Sequence, residues 1–75
     1  MKKYKNISGS SGIVAYEIGA TWIKVKFIPG TVYKYSYSKP GKKHVEEMKK
    51  LAKEGRELAT YISKYVREAY ESYED

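Results

Sequence analysis

The chain has no cysteine and only one histidine, His44, among its 75 residues. Without cysteine there is neither a disulfide nor a thiolate ligand for zinc, and one imidazole cannot complete a metal site alone. A domain of this length buries only about 60% of the surface of its unfolded chain, so small domains often depend on such crosslinks. We therefore expect no metal and no cofactor. The fold should depend on packing, with self-association as a further source of buried surface.

Glutamine is absent and Asn6 is the single asparagine. This composition is typical of a thermophile protein, because labile amides and thiols are depleted at high temperature. No apolar run approaches the roughly 20 residues that span a bilayer. The basic residues 1–5 are not followed by the apolar core of a signal peptide. The sequence therefore predicts a cytoplasmic protein with no membrane partner.

Acidic residues are scarce in the first half of the chain. Residues 1–43 contain nine lysines and one acid, Glu17, which leaves a net charge of +8, whereas residues 44–75 carry −2. This asymmetry indicates a side that faces a polyanion. The alternative is that the lysines only keep a small protein in solution.

Turn residues divide the first half into an arm and three strands. Residues 1–12 end in a Ser/Gly-rich stretch and are predicted to form a flexible basic arm ahead of one domain, residues 13–73. Strands are expected at residues 13–17, 21–28 and 31–37, and the second of these alternates cleanly with period two. Between the first two strands, Gly19 can supply a positive φ.

The register of the second hairpin follows from the two faces of its strands. Directly opposed residues share a face, so a two-residue turn at Pro29-Gly30 would mix lysines with apolar residues. A loop of three residues, or a turn with a bulge, gives one apolar face and one basic face. The predicted pairs are Phe27 with Tyr33, Val25 with Tyr35, Ile23 with Tyr37, Lys26 with Lys34, and Lys24 with Ser36.

Two helices are predicted in the second half. Pro40 suits the first turn of a helix over residues 41–53, and Gly55 ends that helix. A second helix is expected over residues 56–72, with Glu57 in its first turn. Its inward stripe should comprise Leu58, Ile62, Val66 with Tyr65, Ala69 and Tyr73. The element order predicts an α+β fold, βββαα: a three-stranded antiparallel meander with two helices packed on one face.

Several short motifs follow one another along residues 10–70. They are Ser10-Ser11, Tyr16-Glu17, Val32-Tyr33-Lys34-Tyr35, Gly55, and the terminal Ile62, Arg67 and Tyr70. In order and spacing this series resembles the KTSC domain, a module of about this length found alone in microbes and at the C-terminus of some lysyl-tRNA synthetases. The stretch from Ser11 to Tyr16 is shorter than in that family, and the last helix is longer. The resemblance implies RNA binding, which is proposed for the family because of the synthetase attachment. It also implies a mainly structural role for Tyr33 and Tyr35.

Nothing in the sequence indicates catalysis. A nucleophile needs an adjacent base, and His44 has neither a cysteine nor patterned acids beside it. The Ser/Gly-rich residues 8–12 lack the Gly-Lys-Ser/Thr ending of a phosphate-binding loop. Glu46 and Glu47 are interpreted as a solvated helix face that pairs with Lys49 and Lys50. We therefore predict that the protein is not an enzyme and has no small-molecule substrate.

The candidate contact surface is the basic face of the predicted sheet. Lysines there can contact phosphates, and an exposed indole can stack on an unpaired base. Lysines at a helix start are locally unfavourable, so those of the first helix are expected to extend the patch. The alternative is a solvent-facing surface whose lysines prevent aggregation. The predicted nucleic-acid-binding residues are Trp22, Lys24, Lys26, Lys34, Ser36, Lys39, Lys42 and Lys43.

The tyrosines leave two interpretations open. Tyr33 and Tyr35 are expected to face the helices with their rings in the core, and the alternative is a stacking surface for bases. Tyrosines around the second helix favour protein contacts. The sequence thus predicts a small non-catalytic module that binds nucleic acid, RNA rather than DNA. The alternative is a protein-interaction or homodimerisation module that uses the tyrosine-rich C-terminal helix.

Overall fold

The alternating strands of the first half form the centre of an antiparallel sheet, and the helices cover one of its faces. The computed structural model describes residues 1–7, 9 and 11–75. The sheet has five strands in the order β1-β2-β3-β4-β5. The elements are β1 (Lys2–Lys3), β2 (Ile13–Ile18), β3 (Trp22–Phe27), β4 (Val32–Ser36), α1 (Lys42–Glu54), α2 (Leu58–Tyr61) with a continuing π-helical turn (Ile62–Val66), and β5 (Ser72–Glu74).

The α+β class is confirmed, but the three-stranded meander is wrong, because strands are added at both edges of the predicted sheet. The core lies between the inner face of the sheet and the two helical segments. It is built from period-two residues of the strands and from residues at helical spacing. Its members are Tyr4, Ile13, Tyr16, Ile23, Val25, Tyr35, Val45, Met48, Ala52, Leu58, Ile62 and Val66.

The hairpin between β3 and β4 has the predicted odd loop. Residues 28–30 form it, and the N–H of Phe27 donates to the carbonyl of Thr31 over 2.8 Å. The predicted pairs are wrong by two residues, since Val25 lies opposite Tyr33 and Lys24 lies opposite Lys34. The three-residue loop begins at Ile28, one residue earlier than the predicted pairs require. Each residue of β3 therefore lies opposite a residue two positions earlier in β4 than predicted. A shift of two leaves each side chain on its predicted face.

The N-terminal segment belongs to the domain, and this corrects the predicted arm. Lys2 and Lys3 pair with Tyr16 and Ala15 as strand β1. Tyr4 is only 3% exposed and is part of the core. The segment also contacts the end of α1, where the N–H of Ile7 donates to the carbonyl of Gly55 over 2.8 Å. Ser8 and Ser10 lie outside the described residues. Both belong to the Ser/Gly-rich stretch, and Ser10 also belongs to one of the family motifs.

The C-terminal segment departs from the predicted helix over residues 56–72. Helical structure ends at Val66, and Arg67 has a φ of 53°. The inward stripe is confirmed for Leu58, Ile62 and Val66, which are buried. Tyr65 and Tyr73 are exposed instead, at 62% and 56%. After Val66 the chain returns to the sheet as β5 and covers the edge of β4, whose backbone would otherwise be open for aggregation.

Helix α1 agrees closely with the sequence at its end but less well at its start. Gly41 is the residue before the first helical position, so Pro40 lies ahead of the helix and not in its first turn. Gly55 ends α1 with a left-handed φ of 78°, and its N–H donates to the carbonyls of Leu51 and Ala52. Glu57 likewise precedes α2 and does not belong to its first turn.

Candidate nucleic-acid interface

The predicted lysines of the sheet share one face. Lys24 lies opposite Lys34, Trp22 lies opposite Ser36, and Lys26 lies one row further along β3. These positions alternate with the core residues of the same strands, so their side chains emerge on the face away from the helices. Trp22 and the three lysines are half-buried, and Ser36 is buried. We call this surface, with Trp22, Lys24, Lys26 and Lys34, the outer face.

Gly19 gives Trp22 the space to lie along the outer face. The N–H of Gly19 donates to the carbonyl of Trp22 over 2.9 Å, so the two residues close a tight turn around residues 20–21. A Cβ on Gly19 would collide with Cε2, Nε1 and Cζ2 of the indole. Gly19 has no positive φ, which corrects the predicted reason for a glycine at this position. Glycine is required here by the close approach of the ring.

Two ammonium groups flank the indole of Trp22. The Nζ atom of Lys24 is 5.5 Å from the ring centroid, and that of Lys34 is 5.7 Å away. Cations within about 6 Å of an indole face are attracted by its quadrupole. An aromatic surface and two positive charges are therefore held together within one hairpin.

Acidic side chains lie beside these lysines and moderate the positive charge. Glu17 is opposite Lys24 in β2, and a carboxylate oxygen of Glu71 is 3.5 Å from Nζ of Lys34. A hydrogen bond from Ser36, together with the charge of Lys34, holds the pKa of the Glu71 carboxyl below its ordinary value. Ser36 is 6% exposed, and its hydroxyl oxygen accepts from the N–H of Lys39 over 3.3 Å, so Ser36 is not the surface contact that the sequence predicts.

The three lysines near the start of α1 have different surroundings. Lys39 is exposed in the turn before the helix. Nζ of Lys42 is 5.8 Å from the ring of Tyr37, and Lys43 lines a depression with His44 and Tyr61 on another side of α1. Among the described residues, the cation–π contacts of Trp22 are with Lys24 and Lys34, and the extension of the patch by Lys39, Lys42 and Lys43 stays a prediction.

The structure also decides where the tyrosine pair lies. Tyr35 is 2% exposed on the inner face, and Tyr33 is half-buried beside it. The Tyr33 ring packs 4.7 Å from Tyr70 and 5.5 Å from Phe27, measured between centroids. The expected core position is confirmed for Tyr35, and the Tyr33 and Tyr35 rings do not form an outer stacking surface.

Helix α1 makes polar contacts with Ala20 and Tyr37 that the sequence does not predict. Lys49 is buried, and its Nζ donates to the carbonyl of Ala20 over 3.0 Å and to Glu46 over 2.9 Å. The same Glu46 oxygen accepts from the hydroxyl of Tyr37, which raises the pKa of Tyr37 and lowers that of Glu46. The predicted pairing of Glu46 with Lys49 is confirmed, but Lys49 is buried and does not lie on a solvated face.

His44 is half-buried, and its Nδ1 lies 2.8 Å from the hydroxyl of Tyr61. The sequence gives no sign of this contact, because a pair 17 residues apart leaves no local pattern. Among residues 1–7, 9 and 11–75, no group of three or more His, Cys, Asp or Glu side chains could hold a metal ion.

Comparisons with known proteins add no relative. No protein-family model, curated protein or solved structure matches the chain. The resemblance to the KTSC domain therefore stays a prediction. In the part of the chain that the structure describes, no helix is both long enough and apolar enough to cross a membrane.

Replacing Gly19 with alanine should move the Trp22 indole off the sheet. The added methyl group occupies the position of the ring, so the indole must rotate toward water. We expect a red-shifted tryptophan emission and stronger quenching by acrylamide. Gly12→Ala is the matched control, because a Cβ there meets only Phe27 at an ordinary 3.9 Å. Unchanged emission in Gly19→Ala would contradict the close approach of ring and backbone.

Proposed function

We propose that the protein is a small non-catalytic module that binds single-stranded nucleic acid, RNA in preference to DNA, on its outer face in the cytoplasm. The observation that carries this proposal is the pair of ammonium groups, of Lys24 and Lys34, at 5.5 and 5.7 Å from the Trp22 ring. Aromatic stacking combined with positive charge is the usual means by which proteins hold single strands. The preference for RNA rests on the resemblance to the KTSC domain.

The energetics of such a complex combine stacking and charge. A base stacked on an aromatic side chain contributes about 1–3 kcal/mol. In the free protein the ammonium groups of Lys24 and Lys34 lie near the Trp22 ring. A base that stacks on the ring displaces these ammonium groups. Because the lysine side chains are flexible, they can then reach the adjacent phosphates. Three phosphate contacts, by Lys24, Lys26 and Lys34, give a slope of log K against log salt of about −2 for a single strand.

The test is a titration of a short labelled RNA at several salt concentrations against two charge-matched variants. The first replaces Lys24, Lys26 and Lys34 with glutamate. The second replaces three exposed lysines of the helices, Lys50, Lys53 and Lys64, with glutamate as well. We expect the first variant to lose about tenfold or more in affinity and most of the salt slope, and the second to stay within about threefold. Equal losses would show that only net charge matters and would overturn the proposal.

Replacing Glu71 with glutamine should strengthen RNA binding. The carboxylate of Glu71 competes with phosphate for Lys34, and an exposed ion pair of this kind contributes at most about 1 kcal/mol. We therefore expect the affinity to rise about two- to fivefold at low salt. Glu54→Gln removes the same charge from the exposed surface of α1 and serves as the control. An equal rise in both variants would contradict a specific role for Lys34.

The alternative function, a protein-interaction or homodimerisation module, has less support from the geometry. The helical segment that would supply the interface ends at Val66, and of the two tyrosines within it Tyr65 is exposed and Tyr61 is half-buried. Tyr70 and Tyr73 instead pack against Tyr33 of β4. Sedimentation at several protein concentrations tests this alternative. A wild-type dimer that dissociates when Tyr65 is replaced with alanine would support it.

A further inference from the structure

Residues 71–75 carry three acids and no basic side chain, and we call this segment the acidic strap. Its acids are Glu71, Glu74 and Asp75. Strand β5 forms its middle, where Ser72 lies opposite Lys34 and Glu74 lies opposite Val32 of β4. Directly opposed residues share a face of the sheet, so Ser72 and Glu74 lie on the same side as the lysines of the outer face. An acidic segment thus borders the basic surface.

The carboxylates of the acidic strap share space with the lysines of the outer face. A depression of about 290 Å³ is lined by Lys24 and Lys34 from the hairpin and by Ser72 and Glu74 from β5. A carboxylate oxygen of Glu71 also lies 3.5 Å from Nζ of Lys34. Because opposite charges attract over such distances, an RNA phosphate that approaches these lysines competes with the carboxylates for the same ammonium groups.

The acidic strap is attached at the surface. All three residues of β5 are exposed. Besides the strand pairing with β4, the ring of Tyr73 packs 5.9 Å from that of Tyr33 and 5.7 Å from that of Tyr70, and the hydroxyl of Thr31 donates to Asp75 over 2.7 Å. Elements with few buried apolar contacts and exposed backbone hydrogen bonds open locally at a small part of the global unfolding free energy. The strap can therefore leave β4 while the core stays folded.

We propose that the acidic strap is a built-in competitor of nucleic acid, whose carboxylates neutralise the lysines of the outer face until a bound strand displaces them. This inference rests on the proposed function, because it describes how that same face is regulated. The apparent affinity of a site that is open in only a fraction of the molecules is reduced by that fraction. The closed strap therefore lowers the affinity for RNA, and any change that frees it raises that affinity.

The experiment locks the acidic strap with a disulfide in the double variant Thr31→Cys/Asp75→Cys. These two side chains already touch, and the chain has no other cysteine, so oxidation joins only these positions. The affinity for a short labelled RNA is measured by fluorescence anisotropy on the same protein, oxidised and reduced. We expect the oxidised form to bind about five- to tenfold more weakly, because its strap cannot open. Equal affinity of the two forms would overturn the proposal.

A second pair of substitutions shows whether the acids of the strap are responsible. In the locked protein that also carries Glu71→Gln and Glu74→Gln, the strap no longer competes through charge, so the difference between the oxidised and reduced forms should fall below about twofold. Glu54→Gln with Glu68→Gln removes two exposed acids elsewhere and should keep the full difference. If locking weakens binding equally in both backgrounds, the strand obstructs RNA by its backbone, and competition by its carboxylates is wrong.

Failure of the strap and failure of the proposed function give different results. If the wild type binds RNA as poorly at low salt as the variant with glutamate at Lys24, Lys26 and Lys34, the proposed function fails, and this inference fails with it. If the wild type binds on the outer face but the oxidised and reduced forms of the locked protein have the same affinity, only the strap fails.

Discussion

Replacing Tyr4 with alanine is expected to lower the free energy of unfolding by about 3–5 kcal/mol, the usual cost of deleting a large buried aromatic side chain. Tyr4 is 3% exposed, its N–H donates to the carbonyl of Val14 over 3.0 Å, and its hydroxyl accepts from the N–H of Leu58 over 3.4 Å. A domain of this length has a total stability of about 4–11 kcal/mol. The substitution should therefore remove a large part of it, as measured by urea denaturation.

Two further variants show which part of Tyr4 matters. Tyr4→Phe keeps the ring and removes a long hydrogen bond, so we expect a loss of about 1 kcal/mol or less. Tyr65→Ala deletes the same side chain from a position that is 62% exposed and should change stability by no more than about 0.5 kcal/mol. If Tyr4→Ala is as mild as Tyr65→Ala, the N-terminal segment is not part of the core.

The N-terminal strand shows why the sequence predicted an arm where the structure has a docked segment. Strand β1 has only two residues, both lysine, so it has no alternation to detect. The stabilising residue is the single Tyr4, and its neighbours Val14 and Leu58 are distant in sequence. A contact of this kind produces no periodic pattern in the sequence. The residues Trp22–Phe27, in contrast, alternate between apolar and basic, so the sequence itself shows which face each one occupies.

The end of the chain illustrates tertiary packing that overrides local propensity. Residues 67–71 favour a helix by composition and continue the spacing of the buried stripe. In the structure Tyr70 packs against Tyr33, and the N–H of Glu71 donates to the carbonyl of Lys34 over 2.7 Å. The open edge of β4 and its aromatic side chain together outweigh fewer than two more turns of helix. No pattern within the segment itself indicates that partner.

The outer face was predictable to the extent that it depends on period two. Alternation alone places Lys24, Lys26 and Lys34 with Trp22, and it tolerates the error of two residues in register. The features that tune the surface were not predictable, because they arise from approaches between segments. Glu71 reaches Lys34 only through the return of the chain as β5, and Gly19 matters only because an indole lies across it.

Replacing Gly55 with alanine is expected to cost about 2–4 kcal/mol, the sum of left-handed strain and overpacking. Gly55 has a φ of 78°, and a Cβ there would lie 2.5 Å from Cβ of Lys5. The carbonyl of Gly55 also accepts from the N–H of Ile7 over 2.8 Å, so the backbone cannot retreat without losing that bond. The junction between α1 and α2 is thus the surface on which the N-terminal segment docks. Urea denaturation measures the loss.

Gly9 provides a control that separates strain from contact. Its φ of 75° nearly equals that of Gly55, but a Cβ at Gly9 would meet nothing within 4 Å. Gly9→Ala should therefore cost only the left-handed strain, about 1–2 kcal/mol, and the difference between the two variants reports the contact with Lys5. Adding Lys5→Gly to Gly55→Ala removes the opposing Cβ and should recover that difference. Equal costs for Gly9→Ala and Gly55→Ala would mean that the segment does not press on Gly55. The large effect expected for Tyr4→Ala would then have to arise from contacts with β2 and α2 alone.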